Sequence, residues 1–404
     1  MEEDDGRDLE TGEGLAFGPS VEVARADDRG RLVRARREGV KAGETVALSE
    51  VFVWAYMPRE TKRLCAHCGR ALLPSTARRC RGGCAHTWYC PPPSTENRDG
   101  DSTLYKNEDG EIVEKMEKMM VDKSSCEREG DRYHGLGGGG AGCRSMRRYD
   151  AAVATGLRKG TLAPSLFGSQ EATMFARLVI GVLTHPDRRQ RALTFALEPN
   201  THALSPTRLA QYEQMAEVVA ASISLPRGAR KVTKDDVVRL LCIQQCNAFG
   251  LSNGEGEMTG VALYPALSLF NHSCMPNCAA VDDGTGSKRV CAIKTLVAVP
   301  PGEELTISYI DLDLTRELRQ DKLEESYAFR CTCARCRAPD ADDSPAVAAH
   351  LRRITCGSCG GSLIPAPPGQ ELTVACNSCP LVVQRPNDGD DDADALSSSG
   401  TTVV

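Results

Sequence analysis

Nineteen cysteines in 404 residues fall into clusters whose spacing suits metal binding. The first runs from Cys65-x2-Cys68 through Cys80-x3-Cys84, Trp88-Tyr89-Cys90, Cys126 and His134 to Cys143. Seven thiols and one imidazole suffice for two tetrahedral zinc sites, because a short turn points paired sulfurs at one ion. Zinc would also supply folding energy that so polar and glycine-rich a stretch cannot draw from a core. The second cluster, Cys331-x-Cys333-x2-Cys336, is one ligand short of a zinc site, so a distant cysteine must complete it. The third, Cys356-x2-Cys359 followed by Cys376-x2-Cys379, has the spacing of a small zinc ribbon. Cys242, Cys246, Cys278 and Cys291 are left over, and buried, small-hydrophobe roles are expected of them.

A different chemistry lies between the clusters. Residues 267–278 contain Asn271-His272-Ser273-Cys274 and then Pro276-Asn277, and Gly302-Glu303-Glu304-Leu305 with Tyr309 follows. On residue types alone, a histidine beside a cysteine also fits a nucleophile–base pair.

The elements that must position these residues read as mixed helix and strand. Val21–Val23, Leu32-Val33, Thr45–Leu48 and Val51–Tyr56 alternate like strands, separated by turns at Gly30 and Lys41–Glu44. Residues 91–110 are turn-forming and polar, Glu111–Lys123 reads as a short charged helix, and Gly137–Gly140 as a flexible spacer. Three helices follow. One covers about Glu171–Leu183, and one begins at Ser205 with Pro206 as its first helical residue. A third begins at Thr233, three residues before Asp236, with Val237, Leu240 and Leu241 on its core face. Lys288–Thr295 and Leu305–Ile310 are short β runs.

Charge and hydropathy exclude several classes. Lys and Arg number 49 against 55 acids, and the excess acid sits in the tails, at residues 1–13 and 388–394. The body between them is only mildly basic, so nucleic acid is not an expected partner. No apolar run is long enough to span a membrane. An acidic N-terminus argues against a signal peptide, and abundant reduced thiols point to the nucleus or the cytoplasm.

Asn-His-Ser-Cys-x-Pro-Asn at residues 271–277 and Gly-Glu-Glu-Leu-x-x-x-Tyr at 302–309 together resemble the paired signatures of SET-domain protein lysine methyltransferases. The first cysteine cluster then looks like a MYND zinc module set within the SET sheet, as in the SET-MYND family. The resemblance covers roughly residues 20–337. It implies an α+β fold: SET β-sheets with an inserted MYND module, a helical segment, a post-SET zinc site and, beyond the resemblance, a C-terminal ribbon. The boundaries expected are an acidic tail at 1–18, the first SET part at 19–62, the MYND module at 63–148 and a helical region at 149–250. The SET core at 251–312, the post-SET region at 313–340, the ribbon at 341–385 and an Asp- and Ser-rich tail at 386–404 complete the chain; both tails are expected to be disordered.

The resemblance also implies roles. Asn271 and His272 would hold S-adenosylmethionine (SAM), helped by Asn247 and Ser268, while Gly30 would begin the glycine turn that passes the cofactor. Tyr309 would be the active-site tyrosine, and Tyr327 and Phe329 would line the lysine channel or stack on the cofactor. Cys274 would complete the zinc site of Cys331, Cys333 and Cys336. The activity implied is methylation of a lysine on a histone or other protein.

Three features depart from the family pattern. Leu32 stands where the family has a second glycine, and its side chain is expected where backbone approaches the cofactor. Thirty-five residues separate Cys90 from Cys126, where the module normally has three. The helical-repeat domain that often follows the post-SET zinc has no counterpart in residues 338–404. These features frame an alternative, a non-catalytic scaffold binding proline-rich peptides through the MYND module.

Overall fold

The computed structural model describes residues 12–384 apart from 13–14, 16, 28, 67–70, 74, 76, 81–83, 85–86, 90–140, 254–256, 283–288, 338–341, 343, 370–372 and 380. The loop expected at 91–110, the helix at 111–123, the spacer at 137–140 and the C-terminal tail lie outside the described residues. So do Cys68, Cys90, Cys126 and His134.

In chain order, β1 (Val21–Ala26) and β2 (Gly30–Ala35) form a hairpin, followed by β3 (Thr45–Glu50) and β4 (Val53–Tyr56). Two short strands of the inserted module, β5 (Arg78–Arg79) and β6 (Trp88–Tyr89), come next. The helices α1 (Ala141–Lys159), α2 (Pro164–Phe167), α3 (Gln170–Thr184), α4 (Arg188–Phe195), α5 (Pro206–Ser222) and α6 (Lys234–Asn247) then lead to β7 (Phe249–Ser252) and β8 (Met258–Leu263). The remaining elements are β9 (Asn271–His272), β10 (Cys278–Asp282), β11 (Val290–Thr295), β12 (Glu304–Ile307), α7 (Arg316–Tyr327), α8 (Pro345–Ile354), β13 (Leu363–Pro365), β14 (Thr373–Cys376) and β15 (Val382–Gln384).

Three of the sheets carry the SET core, in the orders β1-β2-β12-β9, β10-β11-β3 and β4-β8-β7. Their strands alternate or run fully buried, as in β8, whose Gly260–Leu263 stretch is entirely buried and lies between two neighbours. Helix α3 is apolar on nearly every side, burying Met174, Leu178, Val179, Ile180, Val182 and Leu183, and so sits inside the core rather than on it. None of the described helices is long and apolar enough to cross a membrane.

The three sequence-read helices begin within a residue of their expected starts, and the first also ends within a residue of Leu183. Thr233 caps α6, its side chain accepting from Asp236 N while Asp236 accepts from Thr233 N. Thr233→Ala should therefore cost about 1 kcal/mol of unfolding free energy, read as a shift of the urea midpoint at constant slope.

Several expectations shift. Residues 17 and 18, expected to belong to a disordered tail, are part of the fold: Phe17 bridges to Ala47, Gly18 N donates to Val46 O at 2.8 Å, and the Phe17 ring lies 6.0 Å from that of Phe270. An apolar ring within reach of a core outweighs an acidic composition. Helix α1 runs straight through 148, so the expected junction between module and helical region falls inside one element. The expected strand 305–310 stops at Ile307, which leaves Tyr309 in the turn beyond it.

Candidate functional site

The site begins where two chain segments run side by side. Strands β9 and β12 pair in parallel, with Thr306 opposite Asn271 and Ile307 opposite His272. Asn277, five residues beyond β9, fastens its segment to β12, donating to Glu304 O at 2.8 Å and accepting from Thr306 N at 2.8 Å. This explains why Asn271–Asn277 and Glu304–Tyr309 had to carry signatures together. Each supplies the other's backbone partners.

Asn271 Nδ2 donates to Arg31 O at 3.0 Å and to Glu304 Oε1 at 2.9 Å. Its Oδ1 has no hydrogen-bond partner among the described residues. Glu304 also pairs with Arg29 at 3.0 Å, and Arg29 Nη2 donates to His272 O at 3.1 Å. Gly30 turns here with φ +67°, and a Cβ built on it would meet nothing within 4 Å, so the hairpin opens onto empty space.

Tyr309 closes the arrangement. Its N–H donates to His272 Nδ1 at 3.0 Å and its hydroxyl to Phe270 O at 2.7 Å. The ring of Tyr327 stands 4.8 Å away and that of Phe329 6.5 Å away; Tyr327 OH donates to Tyr309 O at 3.2 Å. Burial pushes the Tyr309 phenol well up, so it stays protonated. Burial lowers His272 to about 4, so its imidazole is neutral; with Nδ1 accepting, Nε2 carries the proton and faces Cys274 Sγ at 3.2 Å.

Two cavities meet at this tyrosine. A cleft of about 650 Å³ is lined by Gly30, Asn247, Ser268, Asn271, His272, Tyr309, Tyr327 and Phe329, so every sequence-read cleft residue comes to one place. A smaller cavity of about 120 Å³ shares Asn247, Ser268, Tyr309 and Tyr327 and adds Phe249, Phe270 and Ile307. Asn247 is held by Glu198 O at 3.1 Å and Ile243 O at 2.8 Å. Ser268 Oγ lies 3.3 Å from Asn247 O.

Sequence reasoning missed Arg29, Arg31, Glu198, Asn200 and Cys246, all of which line the larger cleft. Arg29 adjoins the Gly30 turn and was findable there. Glu198 and Asn200 sit in a connection between helices with no local signal. Cys246, expected to be buried, is half-exposed in the cleft wall, because it ends a helix whose last turn borders the cavity. Leu32 also departs from its expectation. It pairs with Ala24 and is buried, and β2 contributes Gly30 and Arg31, not Leu32, to the cleft. Two residues along a strand is about 6.6 Å, enough to carry it under cover.

The cysteines assemble as well. Cys274, Cys331, Cys333 and Cys336 bring their sulfurs within 4.8 Å of one another, as do Cys356, Cys359, Cys376 and Cys379. Tetrahedral zinc with bonds of about 2.3 Å sets sulfurs about 3.8 Å apart. The pairs Cys336–Cys274 at 3.5 Å, Cys356–Cys379 at 3.7 Å and Cys359–Cys376 at 3.4 Å match that spacing. Hydrogen bonds from Cys274 hold Cys333 and Cys336 below the usual thiol range. In the ribbon, burial raises Cys356, but N–H groups of Ser358 and Cys359 outweigh it and bring the thiol down to about 7. One part of each cluster is thereby drawn toward the thiolate, the form that binds metal, while hydrogen bonds with Cys331, Cys333 and Cys336 push Cys274 up and burial pushes Cys376 up.

In the inserted module Cys80, Cys84 and Cys143 converge, with Cys143 in the first turn of α1, where its hydrogen bond with Cys80 pushes the thiol up. Cys65 is buried but stands outside that group.

Comparison with known proteins agrees with this geometry. A family model of the SET domain matches residues 30–310, so the chain belongs to the SET-domain family. The chain is 42% identical over 97 residues to the histone-lysine N-methyltransferase SMYD3 of Mus musculus, covering 24% of this chain and 22% of that one. It is 37% identical over 108 residues to the N-lysine methyltransferase SMYD2 of Homo sapiens, covering 27% and 24%. A SET and MYND domain-containing protein of Dictyostelium discoideum is 33% identical over 146 residues, covering 33% and 36%. The matched part therefore spans between a fifth and two fifths of these relatives' own lengths.

Proposed function

We propose that the chain is a SAM-dependent protein-lysine N-methyltransferase, acting on a histone or other protein in the nucleus or cytoplasm, with Tyr309 as its catalytic residue. The observation that carries this reading is the pair of cavities sharing Tyr309 and Tyr327. One is large enough for a cofactor and the other narrow enough for a single side chain.

SAM, when bound, supplies an electrophilic methyl group on a sulfonium. The residues that fit it are Gly30, Asn247, Ser268, Asn271 and His272, with Phe329 beside them. The chain's own work is positioning and desolvation. A lysine ε-amine must lose its proton, which costs roughly 4.6 kcal/mol at pH 7 from a pKa of about 10.4. The dry aromatic walls of Tyr309, Tyr327 and Phe270 disfavour the ammonium and so lower that cost. Tyr309 gives its hydroxyl proton to Phe270 O, which leaves the oxygen's lone pairs toward the cavities. No general base is required, and alignment of amine and methyl supplies the remaining rate.

Zinc belongs to the same reading: two ions in the MYND module, one at Cys274, Cys331, Cys333 and Cys336, and one in the ribbon. Proline-rich peptides are the partners proposed for the MYND module.

Calorimetric titration of the zinc-loaded chain with SAM tests the proposal. Micromolar binding, weakened at least tenfold by Asn271→Ala, is the expected result; loss of one hydrogen bond to a charged group is worth about 1.5–3 kcal/mol. No detectable binding by a folded, zinc-replete chain would favour the scaffold instead.

A further inference from the structure

Helix α7 buries an unusual face. Of its twelve residues the buried ones are Arg319, Gln320 and Leu323, and Arg319 is among the largest fully buried side chains of the protein. These residues, with Arg316 one turn earlier, all address the four-cysteine site. Arg316 Nε donates to Cys336 O at 3.1 Å. Gln320 exchanges two hydrogen bonds of 2.9 Å with the backbone of Cys331. Arg319 Nη2 lies 3.6 Å from Cys336 Sγ.

The guanidinium is fixed on its other sides. Nη2 also reaches both oxygens of Asp342 at 3.1 Å, and Nη1 donates to Leu314 O at 2.7 Å. Asp342 is shared with Arg335, itself nearly buried and donating to Leu312 O at 2.7 Å. Two guanidinium groups over one carboxylate leave a net positive charge beside the cysteines.

A divalent ion with four thiolates carries two net negative charges, which are costly to bury without an opposing charge. Around this cluster the described polar contacts to sulfur are His272 Nε2 on Cys274, its ring accepting the Tyr309 N–H at Nδ1 and so carrying one proton, the backbone N–H groups of Cys333 on Cys331 at 3.5 Å and of Cys274 on Cys333, and Arg319 on Cys336. Arg319 alone among them brings a full positive charge. We propose that Arg319 is the counter-cation of the zinc tetrathiolate, held against Cys336 by the Leu314 carbonyl, and that it keeps the metal in place. It is a positioning residue for the metal and not a catalytic one. The inference rests on the zinc reading above, but not on methyl transfer.

The test is zinc release from the full-length chain to a colorimetric chelator. Arg319→Gln is expected to release one zinc equivalent about 10–100-fold faster than the parent, the usual effect of removing a group that orients metal ligands. The other zinc equivalents should leave at parental rates. Arg319→Lys keeps the charge and should restore most of the retention. Arg319→Gln with parental release, or Arg319→Lys as leaky as Arg319→Gln, would overturn the assignment. Should Arg319→Gln fail to fold, Asp342→Asn decides, because it leaves the guanidinium on Cys336 and on Leu314 O. Release within about threefold of the parent supports the counter-cation; an acceleration reaching the 10–100-fold range would locate retention in the ion pair and overturn it. Equal zinc content in the parent and in Cys331→Ser would remove the metal reading itself, and the inference with it, whatever the methyltransferase assay shows.

Discussion

Tyr309→Phe should lower methyl transfer from SAM by about 10²-fold while leaving the fold intact. The hydroxyl donates to Phe270 O at 2.7 Å, and that bond sets the ring where both cavities open onto it. Removing it forfeits one net hydrogen bond, worth about 1 kcal/mol of stability, so the variant remains folded. The rate suffers more because a misplacement of about 1 Å at a reacting centre can cost 10²-fold. Transfer of radiolabelled methyl groups to a histone mixture under single-turnover conditions measures the effect, and calorimetry shows whether SAM still binds. A variant as active as the parent would take the hydroxyl out of the reaction and leave membership of the SET family untouched.

Cys331→Ser should be still more damaging. It removes one zinc equivalent, and structural zinc contributes on the order of 10–16 kcal/mol of apparent binding energy, comparable with the whole stability of a domain. The loss propagates to the cleft through identifiable bonds. Cys274 holds His272 Nε2 at 3.2 Å, and His272 Nδ1 accepts the Tyr309 N–H at 3.0 Å. Phe329 and Tyr327, just before Cys331, pack in the same cluster as the thiols. The expected result is loss of one zinc by metal analysis, a drop in Tm on the order of tens of degrees, and SAM binding too weak to detect. Full SAM affinity in a variant shown to lack that zinc would separate metal from cleft and refute the coupling.

The ribbon shows how tertiary packing adds to such a site. Helix α8 and β13 dock Ile354 and Ile364 onto Ala279 and Leu296, and His350 Nε2 lies 3.0 Å from Pro276 O, within the segment that holds Cys274. Gly43 is required there. A Cβ on it would stand 2.1 Å from Ala366 O, and its φ is +78°.

What could be read from the chain follows from how local each signal is. The helices at Gln170, Pro206 and Lys234 carry their own caps and apolar faces, so their starts are written in adjacent residues. Helix α7 was not visible. Its buried face is Arg319 and Gln320, which breaks the apolar period that identifies a helix. Helix α1 was hidden in the same way, entered from a glycine run and burying Cys143, Ser145 and Tyr149.

By itself the sequence determined the family, the ligand types of the cysteine clusters and the eight residues that now share a cleft. Those signals are short runs whose chemistry needs particular residues at particular spacings. Only the tertiary structure decided that Leu32 lies outside the cleft wall, that Cys246 lies in it, and that Arg29 and Glu304 brace Asn271. It also decided that a buried arginine faces the four-cysteine cluster. Each of these depends on which distant segments pack side by side, and a parallel pairing such as β9 with β12 leaves no periodic trace in either strand.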